Sequence, residues 1–278
     1  MGIKKISDEE EKTMVAEYIQ GASVSVLMQK YGFKSKKSIT DKLKKHYPSE
    51  YKDLMIIAKN NRKNYHIDFE KINSEFNAYF IGLMITDGYI IDENRFGIDL
   101  TDKDCIEFIS KITNREYKEY SSSKNIGLPR YRIIFSDNNQ IKNMKRFGVL
   151  PQKSLTLCPP RLLEEEIKFI PYIIRGIIDG NGCIYKTAEG SAAFYICTMS
   201  YDFAMWIKNI LENNLFMKDI SITKGNDGIW LIGTALQSNM FKLIALVYDK
   251  PYGMSRKYLK LRETFRDYNL GNQIFSLC

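Results

Sequence analysis

The sequence has only two histidines, His46 and His66, in 278 residues. Neither stands in a recognisable motif, which excludes hydrolytic chemistries that need several histidines as base and metal ligand. The five cysteines, Cys105, Cys158, Cys183, Cys197 and Cys278, are odd in number, scattered, and nowhere spaced as Cys-x-x-Cys. That excludes a disulfide framework and a thiolate zinc site, and leaves them as core or bystander thiols. No apolar run approaches the roughly 18 to 20 residues of a bilayer span, and the charged start from Met1 to Glu11 holds no apolar stretch of the signal-peptide kind. A cytoplasmic protein, or an organellar or nuclear one in a eukaryote, is expected, with no membrane partner. Any catalysis must rest on carboxylates, lysines and a metal held by oxygen.

What is abundant is positive charge. Lys and Arg number 41 against 33 Asp and Glu, a formal net charge of +8, with a sequence pI near 9.0. At 44% hydrophobic and 27% charged, the composition is that of an ordinary globular chain. Its length suits two domains of roughly 100 to 150 residues. The surplus favours a polyanionic partner. It is also concentrated: residues 30–47 hold Lys30, Lys34, Lys36, Lys37, Lys42, Lys44 and Lys45 against Asp41 alone, a local +6. Residues 1–29 are net acidic. Over residues 1–50 the pattern predicts three short helices, from Ser7, from Ser23 to Tyr31 before Gly32, and from Ser35 to His46 before Pro48. Two short helices joined at a glycine, the second carrying Lys36, Lys37, Lys42, Lys44 and Lys45, resemble a helix-turn-helix, whose second helix enters the major groove. A small helical subdomain with a solvated lysine face is the plainer reading of the same residues.

Residues 51–72 are charged and amide-rich, and suggest a helix fading into a linker. From Asn73 the character changes. Helix-like apolar stretches alternate with strand-like runs at Tyr89–Ile91, Phe96–Leu100, Tyr131–Phe135, Phe194–Thr198 and Ile229–Gly233, separated by Asn, Asp and Gly. The chain also repeats itself. Tyr79-Phe80-Ile81-Gly82-Leu83-Met84-Ile85-Thr86-Asp87-Gly88-Tyr89-Ile90 superposes without a gap on Ile173-Ile174-Arg175-Gly176-Ile177-Ile178-Asp179-Gly180-Asn181-Gly182-Cys183-Ile184, at an offset of 94 residues. The same order of strand pairs and helices follows each copy. The expected fold class is therefore α+β: two pseudo-symmetric αββαββα domains, 73–150 and 165–278, joined by a linker at 151–164, with a small all-α domain ahead of them.

Small residues four apart, Gly82 and Thr86 in one copy and Gly176 and Gly180 in the other, share a helix face and permit closer approach than the usual 8 to 10 Å between axes. Asp87 and Asn181 then emerge together at adjacent helix ends. A carboxylate at a helix C-terminus is unfavourable alone, and becomes favourable beside a divalent cation. Two oxygen ligands completed by water and phosphate suit Mg²⁺. That combination allows phosphodiester hydrolysis without a histidine.

The two dodecapeptides resemble the paired motif of the LAGLIDADG homing endonucleases, over residues 73 to about 268. The resemblance implies a monomeric, two-motif nuclease forming a saddle on a long asymmetric site in double-stranded DNA. It implies a divalent metal, Mg²⁺ or alternatively Mn²⁺ or Ca²⁺, at Asp87 and Asn181 with the adjacent Gly88 and Gly182. Lys153 and Lys257, in post-helix basic segments, are the implied supporting catalytic groups. Plain phosphate contact is the simpler role for both. Asn181 departs from the family, which usually has a second acidic residue there. Asp179 does not obviously replace it, because two positions along a helix turn the side chain about 200° away. Either the substitution traps an uncut complex, or the protein is impaired, cuts one strand, or only binds. The DNA-contacting pool from the strands is Arg95, Lys118, Tyr120, Arg130 and Arg132 in the first half, and Tyr185, Lys186, Tyr195, Lys224 and Trp230 in the second. A transcriptional regulator on a degenerate core, and an intron maturase that binds RNA, remain the competing readings.

Overall fold

Residues 6–63, 67–120, 128–151, 153, 157–188 and 190–266 are described by the computed structural model. The chain forms two units, Met1–His66 with Lys111–Arg115, and Ile67–Ser110 with Glu116–Cys278.

In the first unit, polar caps set the helix starts. The Ser7 hydroxyl accepts from the Glu10 N–H at 3.2 Å while the Glu10 carboxylate accepts from the Ser7 N–H at 2.7 Å, a reciprocal box that opens α1 (Asp8–Ile19). Gly32 ends α2 (Val24–Tyr31) at φ +72°, a left-handed turn that suits glycine. Ser35 caps α3 (Lys36–His46) through the Lys37 N–H. Met14, Val15, Tyr18, Leu27, Ile39 and Leu43 form the core, and α4 (Tyr51–Lys63) adds the fully buried Ala58. The stretch 51–72, read above as a helix fading into a linker, thus begins with a packed helix. Its far end belongs to the second unit: Phe69 is fully buried against Phe80 and Phe96, with ring centroids 6.2 and 5.9 Å away. The Asn77 side chain fastens the same turn, donating to the Asp68 carbonyl at 2.6 Å and accepting from its N–H at 3.0 Å. The amide-rich composition hides these anchors because each is one residue deep.

The second unit repeats one pattern. Helix α5 (Glu75–Thr86) leads into β1 (Gly88–Asp92), β2 (Arg95–Leu100), α6 (Lys103–Thr113), β3 (Lys118–Tyr120), β4 (Arg130–Ser136) and α7 (Asn138–Met144). Helix α8 (Ile170–Asn181) leads into β5 (Gly182–Lys186), β6 (Ala192–Thr198), α9 (Tyr201–Asn213), β7 (Ser221–Lys224), β8 (Trp230–Thr234) and α10 (Gln237–Lys242), and α11 (Ser255–Arg266) closes the described chain. Each half builds one antiparallel sheet, in the equivalent orders β1-β2-β4-β3 and β5-β6-β8-β7. This is the α+β duplication expected from the repeat. Alternation is clean: Tyr131, Ile133 and Phe135 of β4 are buried, while Arg130, Ile134 and Ser136 are exposed.

Helices α5 and α8 pack against each other along their glycine faces. A Cβ on Gly82 would collide with the Ile173 carbonyl and lie 2.9 Å from the Gly176 Cα, and a Cβ on Gly176 would collide with the Tyr79 carbonyl. The obstructing atoms are backbone and cannot swing aside. Gly82→Ala is therefore expected to cost about 1–3 kcal/mol by overpacking, read as a lower urea midpoint at unchanged slope.

Candidate functional site

The paired helices bring their C-terminal ends together. Asp87 follows the last residue of α5, its N–H bonded to the Leu83 carbonyl at 2.8 Å, and Asn181 is the last residue of α8. A Cβ on Gly180 would run into Thr86 Oγ1 and Asp87 Oδ2, so the Asp87 carboxylate lies directly against the opposing helix. Burial pushes the Asp87 carboxyl above its ordinary value, while the Thr86 hydroxyl, Lys257 and Lys153 pull the other way. The ionised form is incompletely compensated by the protein itself. Asn181, by contrast, is exposed. It lines a cleft of about 190 Å³ together with Thr86, Lys153, Cys197 and Met199.

Both lysines reach main-chain carbonyls near the ends of the central helices. Lys153 Nζ donates to the Thr86 and Gly88 carbonyls at 3.0 and 2.6 Å, and Lys257 Nζ donates to the Ile178 carbonyl at 2.6 Å and to the Asp179 carbonyl. Each ammonium thus caps the negative end of one central helix. Burial lowers the pKa of both. The Gly88 carbonyl is accordingly engaged by Lys153. Gly182 caps the end of α8, its N–H bonded to Ile178, at the edge of the same junction.

Two αββαββα halves joined through glycine-faced helices decide the architecture. It is the duplicated α+β arrangement that the sequence repeat predicts. No protein-family model matches the sequence, and no curated protein matches it. Among solved structures, the chain is similar to the LAGLIDADG meganuclease I-AabMI bound to uncleaved DNA, at 12% identity over 72% of this chain and 92% of that one, TM-score 0.45. It is similar to the homing endonuclease I-GzeII in complex with its DNA target, at 11% identity over 74% and 96%, TM-score 0.46. It is also similar to the N-terminal LAGLIDADG domain of DUF199/WhiA, at 9% identity over 66% and 88%, TM-score 0.44. At such identities and scores the likeness carries no activity or site residue into this chain.

The two sheets sort the candidate DNA contacts by face. Lys118, Arg132 and Asp99 lie in one row of the open face, with Arg95 and Arg130 at strand ends on that face. Arg132 is held by the Asp99 carboxylate through two bonds of 2.8 and 2.7 Å, and Arg95 by Asp92. Of Tyr120 only the backbone lies within the described residues. In the second sheet Lys186, Lys224 and Trp230 depart from the expected outward position. Lys186 shares the face of Ile184, and Lys224 and Trp230 that of Ile232, which is the helix-covered side. There Trp230 packs on Tyr201 of α9 at 4.7 Å, and Lys224 lies over its ring. Strand parity, invisible without the register, causes the reversal.

In the N-terminal unit the lysines of α3 divide. Lys36, Lys37 and Lys44 are exposed. Lys42 and Lys45 instead turn to α1, where both bind the buried Glu11 carboxylate, Lys45 reaches Asp8 at 3.0 Å, and His46 approaches Glu11 at 3.2 Å. Burial raises the Glu11 pKa, but the hydrogen bonds from Lys42, Lys45 and His46 outweigh it and hold the carboxyl at about 2. The acidic stretch of α1 neutralises part of the local +6. Among the described residues Asp8, Glu11 and His46 are the one three-residue group with metal-ligand atoms in reach of one another, and the two ammonium groups already fill it. Glu11→Gln should cost about 1–3 kcal/mol. Because the folded pKa is depressed, the wild-type advantage is present above the ordinary carboxylate range and is lost as pH falls toward about 2. Urea melts of both proteins across that window read it directly.

One cluster escaped the sequence reading. Arg175 and Asp179, four apart on α8, are both fully buried. Arg175 donates to the Lys250 and Tyr252 carbonyls and lies 3.8 Å from the Tyr252 ring centre. Asp179 accepts from Tyr248 Oη at 2.7 Å, Tyr79 Oη at 2.9 Å and the Met254 N–H at 3.2 Å. An Arg–Asp pair at helical spacing in an apolar helix was the available signal.

Proposed function

We propose that the protein binds a long, asymmetric site in double-stranded DNA and is a metal-dependent endonuclease of LAGLIDADG type, weakened at its second acidic position. The observation that supports this reading is the Asp87 carboxylate set against Gly180 where α5 and α8 end, with Asn181 the next residue along α8. One carboxylate and one amide oxygen are hard donors of the kind Mg²⁺, Mn²⁺ or Ca²⁺ accept, and the under-compensated charge of Asp87 favours a cation beside it. When bound there, the ion supplies Lewis-acid stabilisation of the charge developing on phosphate. Asp87 and Asn181 hold it, Lys153 and Lys257 fix the helix ends that present them, and Lys118, Arg130 and Arg132 supply charge along the first sheet for the DNA backbone and base edges. The asymmetry of the two halves suits a monomer on an asymmetric site.

The neutral Asn181 and the exposed lysines of α3 favour a second reading, a DNA-binding regulator without cleavage. The test is selection of bound duplexes from a random library at stated salt, followed by product analysis with Mg²⁺ or Mn²⁺. A cut or a nick at a fixed position supports the endonuclease, and intact duplex under both metals supports the regulator.

A further inference from the structure

Equivalent strand orders allow the two open sheet faces to be compared position by position. Gly88 pairs with Ile98 in the first sheet as Gly182 pairs with Ile196 in the second, which aligns the registers. The row Lys118–Arg132–Asp99 across β3, β4 and β2 then corresponds to Thr223–Leu231–Cys197 across β7, β8 and β6. In the next row Tyr89 corresponds to Cys183. Among the described residues the open face of the second sheet carries no charged side chain at any strand position, whereas the first carries four basic residues with Asp92 and Asp99. Leu231, Cys183 and Cys197 are half-exposed there, among the uncharged side chains of Tyr185, Tyr195, Ser221 and Thr223, so this face presents apolar, sulfur and hydroxyl groups to whatever lies on it.

Arg and Lys read the paired acceptors of guanine in the major groove, whereas apolar side chains read the thymine methyl group. We propose that the two halves of the target differ in kind: a guanine-containing half-site under the first sheet, and a thymine-rich half-site under the second, read through methyl groups packed on Leu231, Cys197 and Cys183. This inference rests on the DNA-binding reading above. The positively charged first face also supplies the sheet contribution to the salt dependence, so shortening the duplex from the thymine-rich end should leave the salt slope nearly unchanged.

The experiment uses the full chain and the duplexes selected from the random library. Deoxyuridine replaces thymidine in one half-site at a time, which removes the methyl and nothing else. Substitution in the second half-site is expected to weaken binding by about threefold to fivefold for each contacted methyl, and substitution in the first by less. Leu231→Arg is expected to shift one position of the second half-site toward guanine by about tenfold or more, with the first half-site unchanged. Half-sites of the same composition, or equal loss from deoxyuridine in either half, would overturn the inference while DNA binding stands. Retention of no duplex at all would overturn the DNA-binding reading itself. Because the deoxyuridine comparison uses the unaltered protein, it decides even where Leu231→Arg fails to fold.

Discussion

Asn181→Asp is expected to raise Mg²⁺-dependent phosphodiester hydrolysis of the selected duplex by about 10²–10³-fold, the scale on which one preorganised electrostatic group in a centre acts. The substitution puts a second carboxylate at the end of α8, beside the Asp87 carboxylate that already presses on Gly180. Without metal the two like charges repel at the negative ends of two helices, so the variant should be less stable than the parent and its Asp87 harder to ionise. With metal that cost reverses. Mg²⁺ should therefore raise the melting temperature of the variant more than that of the parent, by the linkage of binding to folding. Ionised Asp87 is needed for metal binding, and burial raises its pKa, so the Mg²⁺ effect should fade as pH drops toward the carboxylate range. Cleavage assays and melting curves across pH check both. A variant that holds the duplex, gains no metal-dependent melting shift and cuts neither strand under Mg²⁺ or Mn²⁺ would exclude the endonuclease and leave the regulator.

Much of the architecture is legible in the sequence because it is written twice. The paired dodecapeptides fix the α5–α8 contact, since Gly82 and Gly176 admit backbone where any side chain would collide. The serines at 7 and 35 mark helix starts through hydrogen bonds that reach only two or three residues. What local pattern cannot carry is partnership across the chain. Lys42 and Lys45 read as a DNA-facing surface until α1 brings Glu11 under them. Lys224 reads as outward until its register with Trp230 places it on the covered face. Lys257 reads as a basic group near the chemistry, yet it is almost fully buried on the carbonyls that end α8. Charge in a sequence records supply, and the fold decides which charges remain for a ligand.

Asp179→Ala is expected to cost about 3–5 kcal/mol, the scale for removing one partner of a buried charged network. The substitution leaves the Tyr248 hydroxyl and the Met254 N–H without this acceptor, leaves the Tyr79 hydroxyl with Cys105 Sγ at 3.3 Å, and removes the negative charge that interacts with the Arg175 guanidinium. The damage should spread along one path. Tyr248 and Met254 flank the turn that leads into α11, and α11 carries Lys257 onto the Ile178 and Asp179 carbonyls. Asp179→Asn, which keeps the shape and one acceptor, should cost less. It also isolates the titration. Burial holds the Asp179 carboxyl above its ordinary value against the pull of Tyr248 and Arg175, so the proton is bound more tightly in the folded chain than in the unfolded one. That contribution is full below the unfolded carboxylate value and is lost as pH rises through the raised folded value, so the stability of the parent relative to Asp179→Asn should fall with rising pH across that window. Asp87 titrates in both proteins and cancels in the difference. Urea midpoints of the parent and both variants at several pH values measure the effect, and a parent-to-Asn difference that stays constant across pH would show that the Asp179 titration contributes nothing.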